Sequence, residues 1–410
     1  MQLARGSEYS MGVSVGANIV SNGLVFAFDA GADANFGCTI STNKYGTTTT
    51  FLNGTGSSFE AGSNPTNEIV LLANPSGYSP YVLRQNGNYT EYQINLSTEL
   101  VSNTTYVLSG WYAKSADYNG ADTMFHCRAY STSGNNVALG TGIGTTIKTK
   151  VVGALTWSYV YTTITTPSDY SNTFNWYLGY GQPSHNGYRY YANLKLEQGT
   201  FPSMKDLISS SGYSTCINGV TYTSDNSGGV VLDGTNDYLQ SPSFNISTNA
   251  FTIEAFVKIS SVSGNGQILK KNTSNDYWPI FEMVRVGSNL HGYYSSANYG
   301  ECLEGAQTTG SPLSANNIYQ LVFSKGTGGY TTMKLYVNGV SQSYSNYLYG
   351  SHINTLANSS KPIHIGINFD TPNYVNPLNG NIYSVRVYNK QLTDLEVLQN
   401  FNAQRDRFGL

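Results

Sequence analysis

The sequence predicts an all-β protein of two sandwich-like units with one short helix near its C-terminus. Three observations predict it. Only 11% of the 410 residues are charged, so the helix formers Glu, Lys and Arg are scarce. Tyr occurs 34 times and Gly 43 times, which favours strands and turns. Short β-branched and aromatic runs also recur between turn-rich spacers along most of the chain. With 40% hydrophobic residues, this length exceeds what one core usually organises, and two domains are expected.

The elements follow in chain order. Residues 1–21 are small and polar without clear periodicity and read as an arm that docks on a partner. LVFAFDAG (24–31) is a mostly apolar run bounded by Gly, the pattern of a strand buried on both sides. From about residue 66, NEIVLLAN, YTEYQINL, TTYVLSGWYAKS, TWSYVYTTIT, TFNWYLGY and YRYYANLKLE read as six short strands of a sandwich or jelly roll. FTIEAFVKI (251–259) places Phe251, Ile253, Ala255, Val257 and Ile259 on one face and Thr252, Glu254 and Lys258 on the other, so it reads as a half-buried strand. MKLYVNGV (333–340) runs into Asn338-Gly339, a pair suited to the positive φ angles of a type I′ hairpin turn. In LTDLEVLQNFNAQ (392–404), Thr393 and Glu396 have capping-box spacing and Leu392 and Val397 can form a staple. Leu395, Leu398 and Phe401 share a face expected to lie against the sandwich.

Charge narrows the partners. With 21 Lys+Arg against 24 Asp+Glu the net charge is −3, and no basic cluster exists to neutralise a row of phosphates, so neither nucleic acid nor an anionic membrane surface is expected. No apolar run approaches the roughly 20 residues needed to span a bilayer, and the first residues read as no signal peptide. Cys38, Cys127, Cys216 and Cys302 are far apart and are expected to be isolated thiols.

Several segments together carry a resemblance. VLDGTNDYL (231–239), FTIEAFVKI, residues 319–340, IHIGIN (363–368) and residues 378–403 resemble the concanavalin A-like, laminin-G-like domain, in the version found in bacteriophage structural proteins, down to the RFGL ending. In that group an opening strand similar to NGLVFAFDAG leads shortly into a segment like STCINGVTYTSDNSGGVVLDG, which here begins only near Thr215. The block between, with TTYVLSGWYAKS and YANLKLEQGTFPS, is similar to the jelly rolls of carbohydrate-binding modules. The resemblance therefore implies a concanavalin A-like sandwich made of residues 22–36 and 201–410, interrupted by an inserted jelly roll at 37–200. Insertions are tolerated where the two ends of a loop lie close together.

Glycosidases occur among such sandwiches, so the acidic residues matter. The E-x-D-x-x-E pattern of the glucanases of this fold, which sets carboxylates about 5 to 5.5 Å apart, is absent. Glu254, Glu282, Glu301 and Glu304 have no alternating carboxylate partner and read as solvated strand or loop charges. Gly12-Val13-Ser14-Val15-Gly16 matches the nucleophile-elbow pattern but lies in the polar arm, without the strand before it and the helix after it that the motif needs. His126, His185, His291, His352 and His364 are scattered, which argues against zinc, and His364 reads as structural. Asp233 and Asp237 in DGTNDY, with Asn236, are weak calcium candidates, as are Asp29 and Asp33; turn formation is the competing reading. Calcium is the one candidate cofactor.

Aromatic rings suit the apolar faces of sugars, and they equally suit protein interfaces. Trp111 and Trp157 lie inside strand patterns and read as packing residues. Two clusters are candidate ligand surfaces, with core packing or a subunit interface as the competing reading: Trp176, Tyr177, Tyr180, His185 and Tyr188 around a Gly/Pro loop, and Asp276, Tyr277, Trp278, Tyr293, Tyr294 and Tyr299. The expectation is a non-enzymatic bacteriophage virion protein, a capsid decoration or a fibre adhesin. It would assemble in the host cytoplasm with other virion proteins as a homo-oligomer, a trimer by analogy with phage fibres, and contact cell-surface glycans. The rival readings are a glycan-degrading depolymerase and a cement protein with no glycan ligand.

Overall fold

The computed structural model of the chain describes residues 19–30, 67–75, 81–86, 92–96, 100–122, 124–132, 136–139, 142–179, 185–205, 213–246, 249–273, 278–295, 302–350, 356, 359–370 and 373–410. Strands dominate, and they pair antiparallel throughout. The arm at residues 1–18, Asp33 and Cys38 lie outside the described residues.

An eight-stranded sheet runs Thr221–Thr223, Gly229–Asp233, Asn379–Tyr388, Phe251–Ile259, Asn317–Lys325, Lys334–Val337, Val340–Ser341, and Leu24–Asp29 also pairs with Asn379–Tyr388. Leu24–Asp29 lies beside residues 384–388 and Gly229–Asp233 beside residues 379–382, so two segments distant in sequence lie end to end along one edge of the same strand. A nine-stranded sheet runs Met204–Lys205, Tyr213–Ile217, Tyr238–Ser241, Ile363–Ile365, Asn265–Asn272, Pro279–Val286, Asn289–Ser295, Cys302–Thr308, Tyr344–Gly350. Between these sheets lies one apolar core, to which Phe28, Ile253, Val257, Leu269, Phe281, Met283, Phe323 and Ile365 all contribute.

The helix predicted near the C-terminus spans Asp394–Phe408, and Thr393 caps it through a complete capping box with Glu396. Of the three residues expected on its buried face, only Phe401 is buried. Leu395 is 78% and Leu398 40% exposed, while Val397, Asn400, Phe401, Gln404 and Phe408 are buried. The sheet beneath supplies the reason, because it offers polar partners as well as apolar ones. Glu254 accepts from Gln320 Nε2 at 2.7 Å and from Asn400 Nδ2 at 2.8 Å, and Asp29 accepts from Arg407 at 2.8 and 3.0 Å. The Arg386 guanidinium lies between these two carboxylates, 3.8 Å from Glu254 and 3.9 Å from Asp29.

Phe251–Ile259 is therefore buried on both faces rather than half-buried, and Glu254 is no solvated charge. The predicted hairpin turn is present at Asn338-Gly339, with φ of 51° and 77°.

The middle of the chain forms a six-stranded sheet, Asn67–Leu71, Tyr81–Asn86, Tyr188–Gln198, Thr105–Lys114, Leu155–Thr165, Thr145–Val152, and a four-stranded one, Tyr92–Leu96, Tyr170–Leu178, His126–Ser131, Asn136–Leu139. Leu83, Tyr106, Leu108, Cys127, Phe174, Trp176, Leu194 and Leu196 form a core between these two sheets. Trp111 and Trp157 are buried packing residues of the larger core. Cys127 and Cys216 are buried free thiols.

Candidate functional site

Among the described residues, an array of accessible rings lies on the outer face of the nine-stranded sheet. Alternation decides which side chains stand there. Met283, Phe281 and Tyr294 point into the core, so their neighbours Glu282 and Tyr293 point outward. Register then sets Lys270 opposite Glu282, Glu282 opposite Tyr293, Tyr293 opposite Gly305 and Gly305 opposite Tyr347, giving one row across five strands.

The glycine in that row is a space requirement. A Cβ on Gly305 would sit 2.2 Å from Tyr293 Cδ1, so only glycine lets the Tyr293 ring lie across the middle strand. There it meets Tyr347 edge to face, with centroids 5.7 Å apart at 87°. Two residues further along the same edge strand, Tyr349 stacks on Trp278 at 5.8 Å and 23°. Tyr347 is 39% and Tyr349 54% exposed, and Tyr293 and Trp278 are partly exposed.

Polar groups fix the inner end of the array. The Tyr293 hydroxyl lies 2.8 Å from His291 Nδ1 and accepts from Gln307 Nε2 at 3.1 Å. Burial pushes the Tyr293 phenol up to about 12 and holds the His291 imidazole below its ordinary value. A neutral imidazole accepting a hydrogen bond from the phenol O–H at Nδ1 fits both shifts. Beyond Tyr293, Lys270 Nζ stands 3.9 Å from Glu282 and 2.6 Å from Asn368 Oδ1. Lys270 is buried and holds Glu282 in place, while aromatic faces bordered by the Gln307 amide and the Glu282 carboxylate can stack on an apolar ring face and exchange hydrogen bonds with hydroxyls around it.

The structure divides the residues singled out in the sequence. Trp278 and Tyr293 are brought together with Tyr347 and Tyr349, which sequence reasoning missed although Ser345, Tyr347 and Tyr349 alternate in SYSNYLYG. Tyr294 is a correction: it points inward, packs against Phe251 and donates to buried Glu304. Glu304 is thus not a solvated charge either. Asp276, Tyr277, Tyr299 and Glu301 lie outside the described residues.

The other expected ring cluster is corrected more fully. Trp176 is buried, stacked on Phe125 at 5.7 Å, and its Nε1 donates to Met124 O at 3.0 Å. Tyr177 is buried beside His126 and Arg128, and His185 is buried against Tyr118. Both faces of Tyr170–Leu178 are covered at this end, which strand alternation cannot reveal. Tyr188 is partly exposed under the Arg84 guanidinium, 4.9 Å from its ring centroid, and Tyr180 lies outside the described residues. A shallow cleft of about 400 Å³ opens nearby, where Asp122 accepts from Tyr112 at 2.9 Å and pairs with Lys114 at 3.0 Å.

The described calcium candidates are engaged by backbone N–H groups or by an arginine. Asp237 accepts from Gly219 N at 2.7 Å and Asp233 N at 3.2 Å, Asp233 accepts from Thr235 N at 2.7 Å, and Asp29 is held by Arg407. Among the described residues, no three His, Cys, Asp or Glu side chains converge as a metal site would require. His364 is buried between the rings of Tyr238 and Phe369, a structural position. Among the described residues, no helix is long and apolar enough to cross a membrane.

Comparison with solved structures finds low similarity over half of the chain. A sialidase from Trypanosoma rangeli is 14% identical with a TM-score of 0.36, covering 50% of this chain and 31% of that one. The receptor-binding domain of botulinum neurotoxin D is 16% identical with a TM-score of 0.39, covering 50% of this chain and 51% of that one. The binding domain of botulinum neurotoxin DC, in complex with rat synaptotagmin II, is 16% identical at 0.39 and covers 49% of both chains. The match thus spans a third to a half of these structures' own length. No curated protein sequence matches the chain. Residues 233–398 match the sequence profile of the concanavalin A-like lectin/glucanases superfamily, and the fold is all-β and concanavalin A-like.

Proposed function

We propose that this chain is a non-enzymatic binding protein of a bacteriophage particle, and that it holds surface glycans on the outer face of its nine-stranded sheet. The observation that carries the binding reading is the ring array of Trp278, Tyr293, Tyr347 and Tyr349, with Gln307 and Glu282 beside it. Stacking on a sugar face needs accessible rings, and here Tyr347 and Tyr349 stand exposed beside partly exposed Tyr293 and Trp278. In this reading residues 22–36 and 201–410 make one sandwich and residues 37–200 an inserted jelly roll. The phage assignment rests on the resemblance of residues 231–410 to phage structural proteins. Assembly with other virion proteins goes with it.

A glycan array probed with the purified chain tests the reading, followed by calorimetry on the best neutral oligosaccharide. Tyr349→Ala and Trp278→Ala should each weaken binding roughly tenfold, the loss of one aromatic stacking contact, while far-ultraviolet circular dichroism stays unchanged. Binding should survive EDTA, because Asp233 and Asp237 already satisfy backbone N–H groups. An array without a hit, or full affinity in both variants, overturns the glycan reading. Electron microscopy of particles carrying the tagged chain tests the virion assignment separately.

A further inference from the structure

We propose that two copies of this chain pair through Tyr344–Gly350, edge to edge and antiparallel about a two-fold axis at Tyr347, so that the nine-stranded sheet continues from one protomer into its partner. Tyr344–Gly350 is the last strand of that sheet. Its inner side pairs residue by residue with Cys302–Thr308 without a bulge, and its outer side is paired by no described strand. An open row of backbone N–H and C=O groups is a template for another strand unless something blunts it.

The other sheet edges among the described residues are blunted or covered: Leu24–Asp29, paired with Asn379–Tyr388 alone, has a register shift and four buried residues in succession. Met204–Lys205, Thr221–Thr223 and Val340–Ser341 have two or three residues, and Asn67–Leu71, Tyr92–Leu96 and Asn136–Leu139 have four or five. The long edge strand Thr145–Val152 carries Lys148 and Lys150 and a register shift. Tyr344–Gly350 has seven residues, no charge, no proline and no register shift, and it exposes Tyr347, Leu348 and Tyr349 in succession.

The sequence of the strand selects a second copy as the occupant. An antiparallel two-fold at Tyr347 sets Tyr344 opposite the partner's Gly350, Ser345 opposite its Tyr349 and Asn346 opposite its Leu348. Each of these three pairs matches a larger side chain with a smaller one, Tyr347 meets its own copy at the axis, and no pair sets like charges together. On the outer face, Tyr347 and Tyr349 of both protomers then join the two ring arrays into one. That consequence rests on the glycan reading, whereas the pairing does not.

Sedimentation velocity or light scattering on the purified chain tests the pairing. The wild type should be a dimer at micromolar concentration. Tyr347→Glu and Tyr347→Lys each place like charges at the axis and should weaken self-association about a hundredfold, giving monomers with unchanged circular dichroism. Mixing the two variants should restore a dimer. A monomeric or trimeric wild type overturns the proposal, as does a dimer that persists in Tyr347→Glu alone or a mixture that stays monomeric. Glycan calorimetry on the same samples separates the two readings: a dimer that binds no glycan leaves the pairing intact and overturns only the glycan assignment.

Discussion

Two lysines are buried with backbone carbonyls or a hydroxyl as their hydrogen-bond acceptors. Lys271 Nζ donates to Ser243 Oγ at 2.9 Å and Lys361 O at 2.7 Å, and Lys325 Nζ donates to Asn249 O at 2.7 Å and Gly326 O at 3.0 Å. Burial pushes both down to about 8. Their unfolded value is about 10.4, so between pH 8 and about 10 the unfolded chain binds more protons and stability rises with pH. The gain is lost as pH falls through 8. Buried phenols act oppositely above about pH 10, since Tyr293, for instance, titrates near 12 in the folded state and lower when unfolded. Stability should therefore peak on the alkaline side of neutrality. Lys271→Met should raise stability at pH 7 by about 1 kcal/mol or more and flatten the rise between pH 8 and 10. Urea unfolding midpoints at pH 7, 8 and 9.5 measure both effects, and a variant keeping the wild-type slope would show that Lys271 does not titrate there.

At the scale of the element, the C-terminal helix separates local from tertiary signals. Thr393→Ala removes the side-chain cap and should cost about 1 kcal/mol. Leu395→Ala should change stability by less than about 0.5 kcal/mol, whereas Phe401→Ala should cost about 3 kcal/mol, because Phe401 packs with Phe256, Tyr383 and Phe408. Thermal denaturation of the three variants orders them; equal losses at Leu395 and Phe401 would contradict the packing. The capping box and the Asn338-Gly339 turn were legible because each is encoded within a few neighbouring residues. The burial of Glu254 was not, because its partners Gln320, Arg386 and Asn400 lie 66 to 146 positions away. The site divides similarly. Trp278 and Tyr293 stood out as aromatics beside turn residues, but only the register through Gly305 sets Tyr347 beside Tyr293. The burial of Trp176 and Tyr294 was not legible, because alternation separates two faces without saying what covers each.

The whole molecule depends on how its two pairs of sheets are joined. Leu194 and Leu196 pack in the core between the six- and four-stranded sheets, and the alternate residues Lys195 and Glu197 meet the chain as it leaves that strand. Lys195 Nζ donates to Ser203 O at 2.7 Å and Ser203 Oγ at 2.9 Å and pairs with Glu197 at 3.1 Å, while Glu197 accepts from Ser203 N at 3.0 Å and from its hydroxyl. All three residues are buried. Next to them Phe201 packs edge to face on Tyr161 at 5.2 Å, and Cys216 Sγ lies 3.8 Å from Pro202 O. The connection is thus a packed joint rather than a free linker, and Phe201, Tyr159 and Trp157 belong to the same apolar cluster as Ile253 and Phe281. Apolar contact across a joint couples the stabilities of what it joins, so the wild type should unfold in one calorimetric transition. Lys195→Ala leaves the Glu197 carboxylate buried without its cation, a change that typically costs about 3–5 kcal/mol. That loss falls on the joint while both cores keep their own packing. The variant should therefore show two separated transitions, one of them close to the wild-type temperature. A single transition merely shifted downward would mean that the sheets are coupled through the rest of the shared cluster and that the ionic joint only adds stability.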